Sequence, residues 1–208
     1  PDVILSQIWF ILSKKWRRHC SWRLGSLELH HKNFSDRDYH KFLKDFLHLC
    51  KSYKIDELKK FEFRFEEYFY DRRVTSNFRI LGSLFKEAFP HLQTLSLSFV
   101  GLRWPVREDM HSLMMVIGRE LCNLTKLSLS FENSLLNDAC LKMFNSKNMG
   151  YNLKITSLEL NLMQCLQISN LGFVALFKEI TRTFNKLKSL NLNLSKTCIN
   201  DTSLDKLM

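Results

Sequence analysis

Apolar residues recur along this chain in two alternating patterns, one with a period of two residues and one with the period of a helix. The period-two pattern reads L-x-x-L-x-L, and its successive starts are separated by 34, 34, 32, 31 and 32 residues. The six starts are Leu24, Leu58, Leu92, Leu124, Ile155 and Leu187. Because strict alternation of apolar and polar residues is typical of a strand with one buried face, each start predicts a strand.

Between these strands the apolar spacing changes to that of an amphipathic helix. The stretches 111–121 and 171–184 carry apolar residues three and four positions apart. Residues of types that commonly cap helices stand at the same distance after four of the motif starts, at Asp38, Asp138, Ser169 and Asp201. Each unit is therefore predicted to run as strand, loop, helix and return.

One such unit cannot bury its apolar face alone, so the units are expected to stack. The resulting prediction is an α/β fold, a right-handed solenoid of about six repeats with a parallel sheet inside and helices outside. The motifs resemble the leucine-rich-repeat superfamily in its helix-bearing, ribonuclease-inhibitor-like class, over residues 24–208. Where that family usually closes the strand with Asn or Cys, this chain has Glu67, Gly101 and Gln164, so the geometry of the following loop stays open.

Residues 1–23 precede the first repeat and are predicted to form a helical cap. The segment resembles an F-box, which commonly begins with a Pro-Asp pair and spaced aliphatic residues, here PDVILSQI, and ends like LSKKWRR. The resemblance implies that the segment docks on the adaptor of a cullin–RING ubiquitin ligase and that the repeats select the protein to be ubiquitinated. The candidate docking residues are Pro1, Ile4, Leu5 and Ile8. The alternative is a plain amphipathic helix that covers the first repeat with the same residues.

Charge and cysteine content narrow the choice of partners and compartment. The formal net charge is +10, which favours acidic proteins, nucleic acid or anionic surfaces as partners, although the scattered lysines are also consistent with solvated faces. The six cysteines form no CxxC pair, so we expect reduced thiols and an intracellular protein. No run approaches the roughly 18 apolar residues that a membrane helix needs.

The sequence lacks the motifs that would indicate catalysis. There is no phosphate-binding loop, dinucleotide fingerprint, HExxH or GxSxG. The histidines and cysteines between residues 19 and 50 match no zinc-finger spacing. We therefore expect a protein that is not an enzyme and that has neither a metal nor a cofactor site.

The residues that alternate with the motif leucines are predicted to line the concave face of the sheet. They are charged in the first two repeats and mostly small and polar in the later ones. The candidate partner-binding residues on this face are Glu28, His30, Lys60, Glu62, Arg64, Lys126 and Glu159. For the later strands the alternative is a polar surface without a partner.

Two insertions, after the second and third strands, predict a further binding edge. They read FEEYFYDRR and GLRWPVRED and fall at matching places in adjacent repeats. Because Trp, Tyr and Arg dominate interface hot spots, the candidates are Tyr68, Phe69, Tyr70, Arg72, Arg73, Arg103, Trp104 and Arg107. The alternatives are rings that cover the core beneath long loops, or rings that stack on single-stranded nucleic acid.

The sequence therefore favours a non-catalytic protein-binding module, which is either a substrate receptor of a ubiquitin ligase or a structural subunit of a large assembly, with a ribonucleoprotein as one option. No polar capping unit follows the sixth motif. We expect either that the chain continues beyond Met208 or that it ends against a partner.

Overall fold

The computed structural model describes residues 20–23, 26–29, 36–52, 59–66, 75–101, 107–150 and 154–200. In these ranges strands alternate with helices. The strands are β1 (Cys20–Arg23), β2 (Ser26–Leu29), β3 (Lys60–Glu66), β4 (Thr94–Val100), β5 (Lys126–Ser130), β6 (Ser157–Asn161) and β7 (Ser189–Asn193). The helices are α1 (Asp36–Ser52), α2 (Thr75–Ala88), α3 (Arg107–Glu120), α4 (Asp138–Leu141), α5 (Ser146–Met149) and α6 (Asn170–Thr183), with a 3₁₀ turn at Lys142–Phe144.

All seven described strands belong to one sheet and lie in it in chain order. The pairings from β2 to β7 are parallel. Parallel neighbours need a crossover between them, and the helical segments supply it. The described part of the chain is therefore an α/β protein in which five strand–helix units build a parallel sheet, as the alternating periodicity predicted.

The core lies between the apolar side of the sheet and the helices. Along β4 the residues alternate between buried (Leu95, Leu97 and Phe99) and half-buried. Beneath β3 the core is aromatic, because the ring of Phe61 lies 5.0 Å from that of Phe89 and 6.0 Å from that of Phe85 on α2. Full burial of such a side chain stabilises the fold by about 1.5–3 kcal/mol.

The register of the sheet follows the motif spacing from β3 to β7. Lys60 pairs with Thr94, which pairs with Lys126, and the same alignment continues through Ser157 to Ser189. The predicted alignment of the first two repeats is wrong by two residues.

In the observed pairing of β2 with β3, Glu28 stands opposite Arg64, whereas the motif alignment puts it opposite Glu62. A two-residue shift keeps every side chain on its own face of the sheet.

The end of the predicted cap is a strand and not a helix. Cys20–Arg23 pairs antiparallel with β2 and so covers the edge of the sheet that β2 would otherwise leave unpaired. The remaining residues of the cap, 1–19, lie outside the described ranges.

The predicted helices at 111–121 and 171–184 are confirmed as α3 and α6. Ser169 caps α6, as predicted, because its side chain accepts a hydrogen bond from the backbone of Gly172. The other predicted caps need correction.

Asn137 and not Asp138 caps α4, since the Asn137 side chain accepts from two backbone N–H groups. Asp38 is the third residue of α1, which begins at Asp36. Asp201 lies outside the described residues. The helix of the fourth unit, α4, therefore begins one residue earlier than expected. Asn and Asp both cap helices well, so residue type alone does not distinguish Asn137 from Asp138.

The loops after β4, β5, β6 and β7 have one shared backbone geometry. Gly101, Asn133, Gln164 and Lys196 occupy the same place after the motif, and their φ angles are 74°, 54°, 61° and 57°. Asn133 donates its backbone N–H to the Met163 carbonyl of the next unit at 2.8 Å, and equivalent bonds start from the residues at 101 and 164. The left-handed turn thus persists although the residue type at this position changes.

None of the helices in the described ranges is long and apolar enough to cross a membrane.

Candidate functional site

The polar residues of β3–β7 form three rows across one face of the sheet, called here the polar face. The rows follow from the strand register. They are Lys60, Thr94, Lys126, Ser157 and Ser189; then Glu62, Ser96, Ser128, Glu159 and Asn191; then Arg64, Ser98, Ser130, Asn161 and Asn193.

Glu159, on β6, is held in the second row by hydrogen bonds from its two neighbours. Ser128 on β5 donates its hydroxyl to Oε2 at 3.2 Å, and Asn191 on β7 donates its amide to Oε1 at 3.4 Å. The residue is nevertheless exposed. Each carboxylate oxygen therefore keeps acceptor capacity for a ligand while the group is fixed in direction.

A second hydrogen-bonded group lies in the third row, toward the ends of the strands. Asn161 donates its amide to the Ser130 hydroxyl at 3.1 Å and to the Glu132 carboxylate at 3.4 Å. Its own amide oxygen accepts from the backbone of Met163 at 3.1 Å. Hydrogen bonds from both ends of the amide orient Asn161 within the row.

The first row carries positive charge. Lys60 lies 3.9 Å from the Glu62 carboxylate and forms an exposed ion pair with it. Lys126, two strands away in the same row, is exposed and has no carboxylate within ion-pair distance among the described residues. The polar face thus combines a fixed anion, cations at its edge and neutral hydrogen-bonding groups between them.

The buried thiols near the sheet are not set up as nucleophiles. Burial raises the pKa of Cys50, and burial also raises the pKa of Cys165 in spite of its hydrogen bond with Ser134. The Cys165 Sγ donates to the Phe131 carbonyl at 3.0 Å. Since the thiolate is the reactive form, these two groups serve packing and hydrogen bonding.

Several predicted binding residues cannot be placed against this face. His30, the insertion residues from Tyr68 to Arg73, Arg103 and Trp104 lie outside the described residues. So do the candidate docking residues of the first segment, which are Pro1, Ile4, Leu5 and Ile8. Glu28, Arg64 and Arg107 are placed in β2, β3 and α3 by their backbone only. The side chains of Lys60, Glu62, Lys126 and Glu159 are the predicted ones that the structure describes on this face.

The sequence patterns missed the lysines that flank the first row. Lys59, Lys154, Lys186 and Lys188 all stand just before or at the start of a strand and are exposed. Lys59 and Lys188 occupy the first variable position of L-x-x-L, which lies outside the outward alternation of the strand, and Lys154 and Lys186 precede the motif by one residue.

Among the described ranges, no group of three or more His, Cys, Asp or Glu residues is placed to hold a metal ion. No protein-family model matches the chain, and no curated protein is significantly similar to it in sequence.

Proposed function

We propose that this chain is a right-handed leucine-rich-repeat solenoid of the ribonuclease-inhibitor-like class, and that its polar face binds a protein partner without catalysis. The constant register from β3 to β7 and the repeated left-handed turn support the repeat assignment. In such a solenoid the sheet forms the concave surface, which these folds use for binding.

The observation that carries the proposal is the fixed position of Glu159. Its carboxylate is exposed and already bonded to Ser128 and Asn191, so a partner does not have to order it. Preorganised polar groups lose less conformational entropy on binding and so contribute more to affinity. The partner is expected to place a basic or amide group over this position.

The experiment is site-specific photo-crosslinking in cells. A photoreactive amino acid replaces Ser96, which lies next to Ser128 in the second row of the polar face, or Lys178, which is exposed on α6. The Ser96 position is expected to give a discrete cross-linked protein that the Lys178 position does not give. Identical products from the two positions would contradict the proposal, as would none from Ser96.

The more specific form of the proposal is a substrate receptor of a cullin–RING ubiquitin ligase. It is supported by the resemblance of residues 1–18 to an F-box, with Ile4 and Leu5 as docking residues. Purified chain should co-elute with the purified cullin-ligase adaptor in gel filtration, and an Ile4→Asp/Leu5→Asp variant should not. If the adaptor binds a known F-box protein but not this chain, the receptor assignment is wrong.

A structural role in a ribonucleoprotein is the second candidate, and the lysines beside the first row favour it. Neutralisation of phosphates by lysine makes RNA affinity fall steeply with salt. Binding to RNA that weakens strongly as salt rises would support this role. If the chain bound RNA no better than an uncharged polymer, a role in a ribonucleoprotein would be excluded.

A further inference from the structure

One edge of the sheet carries a group of exposed lysines, most of which have no carboxylate partner among the described residues. We define the basic rim as the exposed lysines at the starts of β3, β5, β6 and β7, which are Lys59, Lys60, Lys126, Lys154, Lys186 and Lys188. They come together because the starts of parallel strands meet at the same edge of a sheet.

Backbone hydrogen bonds hold the rim in line. Gln93 donates to the Lys59 carbonyl, Thr125 donates to the Gln93 carbonyl, and the ladder continues through Thr156 to Lys188, with N···O distances of 2.8–2.9 Å. The four steps between β3 and β7 span on the order of 19 Å at ordinary strand spacing. Lys59 and Lys188 therefore mark the two ends of one rigid line, and Lys126 directly follows its middle residue, Thr125.

The nearby carboxylates at the ends of the helices are already compensated. Glu87 pairs with Lys51, and Glu120 pairs with Lys86 at 3.6 Å, so each is neutralised by the preceding helix. On the rim itself, Lys60 lies near Glu62 and Lys154 donates to the neutral amide oxygen of Asn123 at 3.2 Å.

The other four rim lysines have no carboxylate within ion-pair distance among the described residues; they are Lys59, Lys126, Lys186 and Lys188. Adjacent like charges without counter-charges produce a positive potential that attracts an anionic ligand. The rim is therefore a surface suited to an acidic partner.

The neighbouring residues favour an acidic protein segment over a nucleic acid. Sequence-tolerant binding of single strands uses exposed aromatic rings on which bases stack. In the described turns beside the rim the rings of Phe89 and Phe184 are buried, at 0% and 3% exposure. The exposed residues described there, which are His91, Gln93, Asn185 and Ser189, include no Phe, Tyr or Trp.

We propose that the basic rim binds an extended, Asp- or Glu-rich segment of the protein partner that occupies the polar face. In an extended segment alternate side chains point the same way about 6.6–6.8 Å apart, so acidic residues at every second position can reach successive lysines. This inference rests on the proposed protein-binding function and adds to it the chemistry of the partner.

The test uses the whole chain and a fluorescently labelled poly-glutamate peptide, with binding followed by anisotropy at low and physiological salt. The variant Lys126→Glu/Lys188→Glu is compared with Lys142→Glu/Lys178→Glu, which changes the net charge equally on the helical side. All four lysines are exposed, so both variants should keep the melting temperature of the natural chain. A Lys126→Gln/Lys188→Gln variant removes the two charges without reversing them, so its peptide affinity should lie between those of the natural chain and the charge-reversal variant.

We expect the rim variant to weaken peptide binding by about tenfold or more, and the helical variant to change it by less than about twofold. Equal weakening in both would show attraction to net charge alone and would overturn the inference. Tighter binding of oligo-uridine RNA than of the peptide would reassign the rim to nucleic acid. If the rim variant still forms the Ser96 cross-link at full yield, the rim inference fails while the proposed function stands.

Discussion

Ser169 binds the carboxylate of Asp138 in the preceding unit with two groups, its backbone N–H at 2.8 Å and its hydroxyl at 2.6 Å. The same hydroxyl accepts from the backbone of Gly172 and so caps α6. A side chain added at Gly172 would collide with the Asp138 carboxylate, so the two units meet closely here. One carboxylate thus fixes the start of the next helix across 31 residues of sequence.

Replacing Asp138 with Ala should therefore destabilise the protein by about 1–3 kcal/mol, because Ser169 loses the acceptor of both bonds. Asp138→Asn should recover part of this, since the amide oxygen can still accept one bond. The measurement is chemical denaturation. Glu179→Ala on α6 is the control and should cost less than about 1 kcal/mol, because Glu179 only approaches Arg182 at 4.0 Å. Equal losses in the two alanine variants would show that the Asp138–Ser169 contact adds nothing.

Gly118 marks a close approach between α3 and α5. A Cβ at this position would collide with the backbone of Met149, whereas a Cβ at Gly82 would meet only the side chain of Val116, at 3.0 Å. Gly118→Ala should lower stability by about 1–3 kcal/mol despite the better helix propensity of Ala. Gly82→Ala should be close to neutral. Thermal or chemical denaturation measures both variants. A Gly118→Ala protein at least as stable as the natural one would contradict the close approach of α3 and α5.

The left-handed residue at Gln164 predicts a stabilising substitution. The left-handed conformation costs a non-glycine residue about 1–2 kcal/mol of folding free energy, and it costs glycine nothing comparable. Gln164→Gly should therefore raise stability by about 0.5–1 kcal/mol after the larger chain entropy of the unfolded glycine is deducted. Gln167→Gly is the matched control at ordinary φ and should lower stability. If both glycines lower it equally, the turn is not held in this geometry in solution.

The cysteines should differ sharply in reactivity. Cys122 and Cys198 are exposed, whereas Cys50, Cys140 and Cys165 are buried. In a maleimide time course read out by peptide mass spectrometry, the two exposed thiols should react in the folded protein. The buried three should react fully only in denaturant, and the raised pKa of Cys50 and Cys165 keeps them protonated at neutral pH as well. Rapid labelling of Cys165 without denaturant would contradict the core packing described above.

Periodicity predicted β3–β7, α3 and α6 because the apolar pattern reports which face is buried. It could not predict the two-residue offset between β2 and β3, since a shift of two leaves every residue on the same face. Nor could it separate Asn137 from Asp138 as a cap, because both residue types cap helices. Alternation placed Glu159 on the polar face, but its bonds to Ser128 and Asn191 depend on side-chain conformations that sequence periodicity does not carry.

The most direct test of the binding face is the affinity of the cross-linked partner, once purified, for two charge-reversal variants measured by calorimetry. Glu159→Lys changes the exposed carboxylate in the middle row of the polar face, and Glu179→Lys makes the same change of net charge on α6. We predict that Glu159→Lys weakens binding by about 2 kcal/mol or more, close to thirtyfold, and that Glu179→Lys leaves it within about twofold. Undiminished affinity of the Glu159→Lys protein, with its fold intact, would contradict the account.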